Sequence, residues 1–122
     1  MEEILNRRAK LFLKEAENDI KNGFFDLAAF HLEQALQLKL KYILAKKIGY
    51  FSKTHFISTL FEEVKKIIPE IYKIYKKYKE EIEELEIAYI GARYLPIEYS
   101  KEKVKKLLKV VKEIFRFLEK YD

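Results

Sequence analysis

The stretch FFDLAAFHLEQALQLKLKYILAKK, residues 24–47, decides the fold of this chain. Its apolar residues recur on more than one side of a helix, from Leu27 to Leu44. A segment that is apolar all round is typical of a helix enclosed by the rest of its domain. We therefore expect residues 24–47 to form the central, most buried helix, with Asp26 as a candidate cap at its start and Gly49 at its end.

Four further segments with helical spacing flank the central one. Apolar residues keep three- and four-residue steps over residues 2–22, 55–68, 70–92 and 101–120, with a bend or break expected near residues 78–80. Thr54 and Ser100 are candidate N-caps of the third and the last segment, and Pro96 ends the fourth. The sequence predicts one all-α domain over residues 1–122, an antiparallel up-and-down bundle of four to five helices.

Composition, the length of apolar runs and net charge exclude several classes of protein. Hydrophobic residues form 49% of the 122-residue chain, enough to bury a core, and the absence of cysteine excludes disulfides and thiolate metal sites. No apolar run has the length of a membrane span, and residues 1–10 contain no signal-peptide pattern, so we expect a cytoplasmic protein that does not enter membranes. The net charge of +5 permits nucleic-acid binding, but it equally suits the Lys/Glu-rich surface common in proteins from hot environments.

Two groups of residues are candidates for binding. His31, Glu33 and Gln34 interrupt the apolar central helix, so they either face a partner or cleft or form a hydrogen-bonded network inside the bundle. Arg93 and Tyr94 end the fourth segment, where an arginine fork suits a phosphate or carboxylate but also suits the free carbonyls of a helix end. Zinc, P-loop, Rossmann and serine-hydrolase motifs are absent from the sequence, so we predict no metal, no cofactor and no catalytic residue.

The spacing of short motifs along the chain resembles the HEPN family (higher eukaryotes and prokaryotes nucleotide-binding). Five elements occur in the family's order: Ala16-Glu-Asn-Asp19-Ile20; Gly23-Phe-Phe-Asp26-Leu-Ala28; Gln34-Ala35 with Lys41; Thr54-His55 with Leu60; and Ala92-Arg93-Tyr94 with Pro96. Each element alone is weak, but together they span nearly the whole chain.

The sequence departs from the family pattern at a position that matters for activity. In ribonuclease members, four to six residues separate the arginine from a histidine, whereas Glu98, Tyr99 and Ser100 occupy the corresponding positions after Arg93 here. A carboxylate or a phenol is not an obvious substitute for an imidazole in moving protons near neutral pH. His31 or His55 replaces the missing histidine only if the fold brings one of them close to Arg93.

The resemblance implies a homodimer with a cleft between protomers. Members without the ribonuclease motif often accompany a minimal nucleotidyltransferase, in the manner of a toxin–antitoxin pair. We interpret the chain as a non-catalytic HEPN binding module that partners such an enzyme and binds nucleotide or RNA, with Arg93, Tyr94, His31, Glu33 and Gln34 at the cleft. Two alternatives stay open: an RNA-cleaving HEPN toxin with an altered active site, and a purely structural dimerisation domain.

Overall fold

Six α-helices and their connections build the part of the chain that the computed structural model describes, residues 2–122. They are α1 Glu2–Lys21, α2 Phe25–Ile48, α3 Ile57–Lys65, α4 Ile71–Lys77, α5 Lys79–Tyr94 and α6 Lys101–Glu119. Residues 2–122 contain no strand, so the predicted all-α class is confirmed.

Helix α2 lies at the centre and packs against α1, α3, α5 and α6. Most of its side chains between Ala28 and Leu44 are buried, and each buried Leu or Ile contributes roughly 2 kcal/mol by leaving water. One side of the helix stays half-exposed. This open strip of α2 consists of Phe30, His31, Gln34 and Leu38.

A tight turn at Gly23 joins α1 to α2. Gly23 has φ 76°, a left-handed conformation that glycine adopts without steric cost. Its amide donates to the Ile20 carbonyl at 3.1 Å, and the Phe24 amide donates to the Asp19 carbonyl at 2.8 Å. The turn therefore brings the last turn of α1 beside the first turns of α2.

Two of the three predicted N-caps are wrong, whereas Gly49 is the C-cap of α2, as predicted. The N-cap position of α2 is Phe24, whose side chain forms no capping hydrogen bond. Asp26 lies inside the first turn, where its negative charge interacts favourably with the helix dipole. Helix α3 begins only at Ile57, because the Thr54 hydroxyl accepts from the Phe56 amide and forms a local turn instead. The Ser100 cap is confirmed, since its hydroxyl accepts from the Lys103 amide at 3.1 Å.

The fourth predicted segment is two helices. Helix α4 ends at Lys77 and α5 starts at Lys79, with Tyr78 between them at φ −115° and ψ 30°, which confirms the break expected at residues 78–80. Helix α5 ends at Tyr94. Leu95 is extended (φ −112°, ψ 151°), as the ring of a following proline requires.

A fully buried lysine in α2 connects this helix to Asn6 in α1 and to Asp122. Lys39 Nζ donates to Asn6 Oδ1 at 2.9 Å and to Asp122 Oδ1 at 2.8 Å. The same ammonium lies 5.0 Å from the Tyr42 ring centre and 5.6 Å from that of Phe115. A buried charge is tolerated only when groups like these replace its hydration.

We expect Asp122→Ala to lower the free energy of unfolding by roughly 1–2 kcal/mol, because the buried ammonium loses a counter-ion that is itself partly exposed. In a Lys39→Met background the same substitution should cost almost nothing, since the thioether needs no counter-ion. Urea denaturation of the four proteins measures both losses. An equal loss in the two backgrounds would show that Asp122 does not act through Lys39.

Candidate functional site: the Arg93 cluster

The first half of α2, the end of α5 and the segment before α3 meet at one surface. There the fold gathers six side chains that we call the Arg93 cluster. They are Phe30, His31, His55, Tyr89, Arg93 and Tyr94.

Arg93 is exposed in the last turn of α5 and lies against three aromatic rings. Its Cζ atom is 4.5 Å from the ring centre of Phe30, 4.8 Å from that of Tyr89 and 5.0 Å from that of Tyr94. Its Nε donates to the Tyr89 carbonyl at 2.9 Å, and Nη2 donates to the same oxygen. The helix-end interaction proposed from sequence therefore exists. It fixes the guanidinium plane on an aromatic surface.

Arg93 keeps N–H donors that could bind an anion. Within residues 2–122 it forms no ion pair with a carboxylate, and only one backbone oxygen accepts from it. An arginine has five N–H donors in a rigid fork. A phosphate or carboxylate that approaches Arg93 therefore meets a guanidinium already held in place.

His31 is oriented by a buried carboxylate that sequence analysis did not include among the site residues. Its Nδ1 lies 2.6 Å from Asp19 Oδ2, and the Asp19 side chain is only 4% exposed. The ring also packs between Phe12 and Phe30, with centroid distances of 5.6 and 5.7 Å. An ionised carboxylate only accepts hydrogen bonds, so Nδ1 carries the proton and a neutral His31 keeps its lone pair on Nε2.

His55 joins the cluster through Tyr89. The two rings are stacked, with centroids 4.4 Å apart and planes inclined by 11°. His55 Nδ1 is buried and has no hydrogen-bond partner within residues 2–122. Tyr89 thus has Arg93 and His55 as neighbours, while Phe30 has Arg93 and His31. One aromatic ring therefore lies between each histidine and Arg93: Phe30 for His31 and Tyr89 for His55.

Glu33 lies behind the cluster rather than on its surface. Its side chain is fully buried and accepts from Gln34 Nε2 and Gln37 Nε2, both at 2.7 Å. Burial raises the pKa of Glu33 from 4.5 to about 7, although both amides and the charges of Arg93 and Lys41 act in the opposite direction. Of the two interpretations offered for the polar residues of α2, a hydrogen-bonded network inside the bundle is the one that describes Glu33. Gln34, which bonds to Glu33, is half-buried and belongs to the open strip of α2.

Five residues were predicted to line a binding site. The structure brings His31 and Arg93 together through Phe30, leaves the Tyr94 side chain 69% exposed beside Arg93, and places Glu33 beneath them with Gln34. Three members of this surface, Phe30, His55 and Tyr89, were not among the five predicted residues, and neither was the buried Asp19 behind His31. For Tyr89, the sequence did contain an indication, since its four-residue spacing from Arg93 places both residues on one side of α5.

Within residues 2–122, no group of three or more His, Cys, Asp or Glu side chains is arranged to hold a metal ion. None of the helices described between residues 2 and 122 has the length and apolar character needed to cross a membrane.

Comparison with known families assigns the chain. The model of the HEPN domain matches residues 2–121. The chain belongs to the HEPN family. Its resemblance to that family, inferred from five short motifs, is thereby confirmed, and its helical bundle is the HEPN fold. Neither a curated protein nor a solved structure shows a significant match.

The raised pKa of Glu33 predicts a pH-dependent stability. Between pH 4.5 and about 7 the unfolded chain releases this proton while the folded HEPN domain holds it, so stability falls as the pH rises through that window. The shift corresponds to roughly 3 kcal/mol at most. We expect Glu33→Gln, which carries no titrating proton, to flatten this part of the profile in urea denaturation from pH 4 to 8. If Glu33→Gln loses stability over the same pH window as the native chain, Glu33 is not the cause of the pH dependence.

Proposed function

We propose that this HEPN domain is a non-catalytic, homodimeric binding module that holds a nucleotide or RNA at the Arg93 cluster. We also propose that it partners a minimal nucleotidyltransferase. The observation that carries the ligand proposal is the Arg93 guanidinium, free of carboxylate partners within residues 2–122 and bounded by the rings of Phe30, Tyr89 and Tyr94.

The Arg93 cluster offers a binding group for the phosphate of a nucleotide and another for its base. A guanidinium fork binds phosphate oxygens through two parallel hydrogen bonds. A ring as exposed as Tyr94 offers a face on which a base can stack, with a gain of about 1–3 kcal/mol per base in single-strand binding proteins. The net charge of +5 adds a general attraction for polyanions.

The proposed protein partner rests on the family and on the motif departure. Members of the family that lack the arginine–histidine motif often accompany a minimal nucleotidyltransferase, and Glu98, Tyr99 and Ser100 stand here at the positions of that histidine. Recovery of a nucleotidyltransferase with the tagged protein from cells of its source organism supports this pairing. Recovery of the protein without such an enzyme argues against it.

Arg93→Ala should weaken binding of a fluorescent single-stranded RNA or nucleotide by at least about tenfold, because a fixed charge-assisted fork is lost. Arg116→Ala is the matched control, since Arg116 is an exposed arginine on α6 outside the cluster and its removal changes the net charge equally. Fluorescence anisotropy at constant salt measures both affinities. Circular dichroism confirms that each variant remains helical.

Two results would contradict the ligand proposal. Equal weakening by the two substitutions would show that binding is general electrostatic attraction rather than a property of the cluster. A native protein that binds neither nucleotide nor RNA would favour the third interpretation, a purely structural dimerisation domain.

One geometric observation favours ribonuclease activity as a second candidate. His31 Nδ1 lies 2.6 Å from Asp19 Oδ2, and Phe30 contacts both His31 and Arg93. In such a cleavage the ribose 2′-oxygen bonds to the adjacent phosphorus while the P–O5′ bond breaks. An imidazole held in this way can accept the 2′-hydroxyl proton and return it to the leaving O5′, while an arginine stabilises the charge that develops on the phosphate. This pair would take the place of the missing histidine.

The ribonuclease candidate predicts metal-independent cleavage of RNA, measured with a chelator present, that leaves 2′,3′-cyclic phosphate ends. Asp19→Asn should lower the cleavage rate by about 10²-fold or more, because an amide no longer fixes the His31 tautomer. RNA binding without cleavage by folded native protein would exclude this candidate and retain the binding module.

A further inference from the structure

The outward side of α1 carries a stripe of residues formed by Ile4, Arg8, Leu11 and Glu15. Their spacing of four, three and four residues places them on one side of the helix. Leu11 is 52% exposed and Ile4 is 42% exposed, and both charged residues are exposed. A groove beside this α1 stripe is lined by Arg7, Arg8, Leu11, Phe12 and Glu15.

The order of charges along the α1 stripe is self-complementary. Arg8 precedes Leu11 by one helical turn, and Glu15 follows Leu11 by one turn. When two antiparallel copies of α1 cross at Leu11, Arg8 of each copy lies opposite Glu15 of the partner subunit. A twofold interface uses the same patch on both subunits, so both charge pairs form at once.

Neither charge is used inside the protomer. Within residues 2–122, Arg8 and Glu15 form no ion pair and no side-chain hydrogen bond. By contrast, Glu17, further along α1, pairs with Lys112 of α6 at 2.8 Å. The two residues with opposite charge that flank exposed Leu11 are therefore both available to a partner.

We propose that a second copy of this chain covers the α1 stripe in antiparallel orientation, with Leu11 at the twofold axis and two Arg8–Glu15 pairs between subunits. This inference rests on the homodimer in the proposed function and names its surface. It also connects that surface to the Arg93 cluster, because Phe12 lines the groove beside the stripe and packs on His31. Each subunit thus places its partner next to the edge of its own ligand site.

A charge exchange tests the pairing. Arg8→Glu and Glu15→Arg should each raise the dimer dissociation constant by at least about tenfold, because each places like charges opposite one another at two symmetric positions. The double variant Arg8→Glu/Glu15→Arg restores opposite charges and should return to within about threefold of the native value. Lys10→Glu, an exposed change of the same charge on another side of α1, is the control for net charge. Sedimentation equilibrium measures all five proteins.

The outcomes separate this inference from the proposed function. Dimerisation weakened by each single exchange and recovered in the double variant supports the α1 interface. A native dimer that both single variants leave unchanged overturns the α1 interface but retains the homodimer. A double variant as weak as the single ones also overturns the pairing. A native protein that stays monomeric at high concentration overturns both the interface and the proposed homodimer.

Discussion

The whole structure depends on the enclosure of α2. Because this helix is apolar on nearly every side, it is stable in water only when other helices cover it, and α1, α3, α5 and α6 each pack against part of its surface. The packing leaves one strip of the central helix, Phe30, His31, Gln34 and Leu38, half-exposed.

The Arg93 cluster is a consequence of this arrangement. The turn at Gly23 lays Asp19 beside His31, and the packing of α5 on α2 places Tyr89 and Arg93 against Phe30. Buried Glu33 lies beneath the cluster, and the nearby charge of Arg93 opposes the rise of its pKa.

Sequence analysis predicted the helices well because their apolar spacing is regular and Gly and Pro mark several of their ends. It failed at the caps of α2 and α3, where local hydrogen bonds and packing outweigh the general preference for Asp or Thr at a helix start. At the candidate site, residues were named by chemical type, and two of them, Arg93 and His31, lie against the same ring of Phe30. Asp19, Phe30 and Tyr89 were missed, because their roles depend on contacts between helices distant in sequence. Glu33 was named for its position in the central helix, but only the packed structure shows that its partners are Gln34 and Gln37.

The most direct test of the central claim is a nuclear magnetic resonance titration of the isotopically labelled protein with a short single-stranded RNA or a nucleotide. The Arg93 Nε–H signal and the ring signals of His31 and His55 should shift together and saturate, while signals of α6 stay in place. Saturating shifts confined to the lysine-rich surface of α6, or no shifts at any concentration, would contradict a ligand site at the Arg93 cluster.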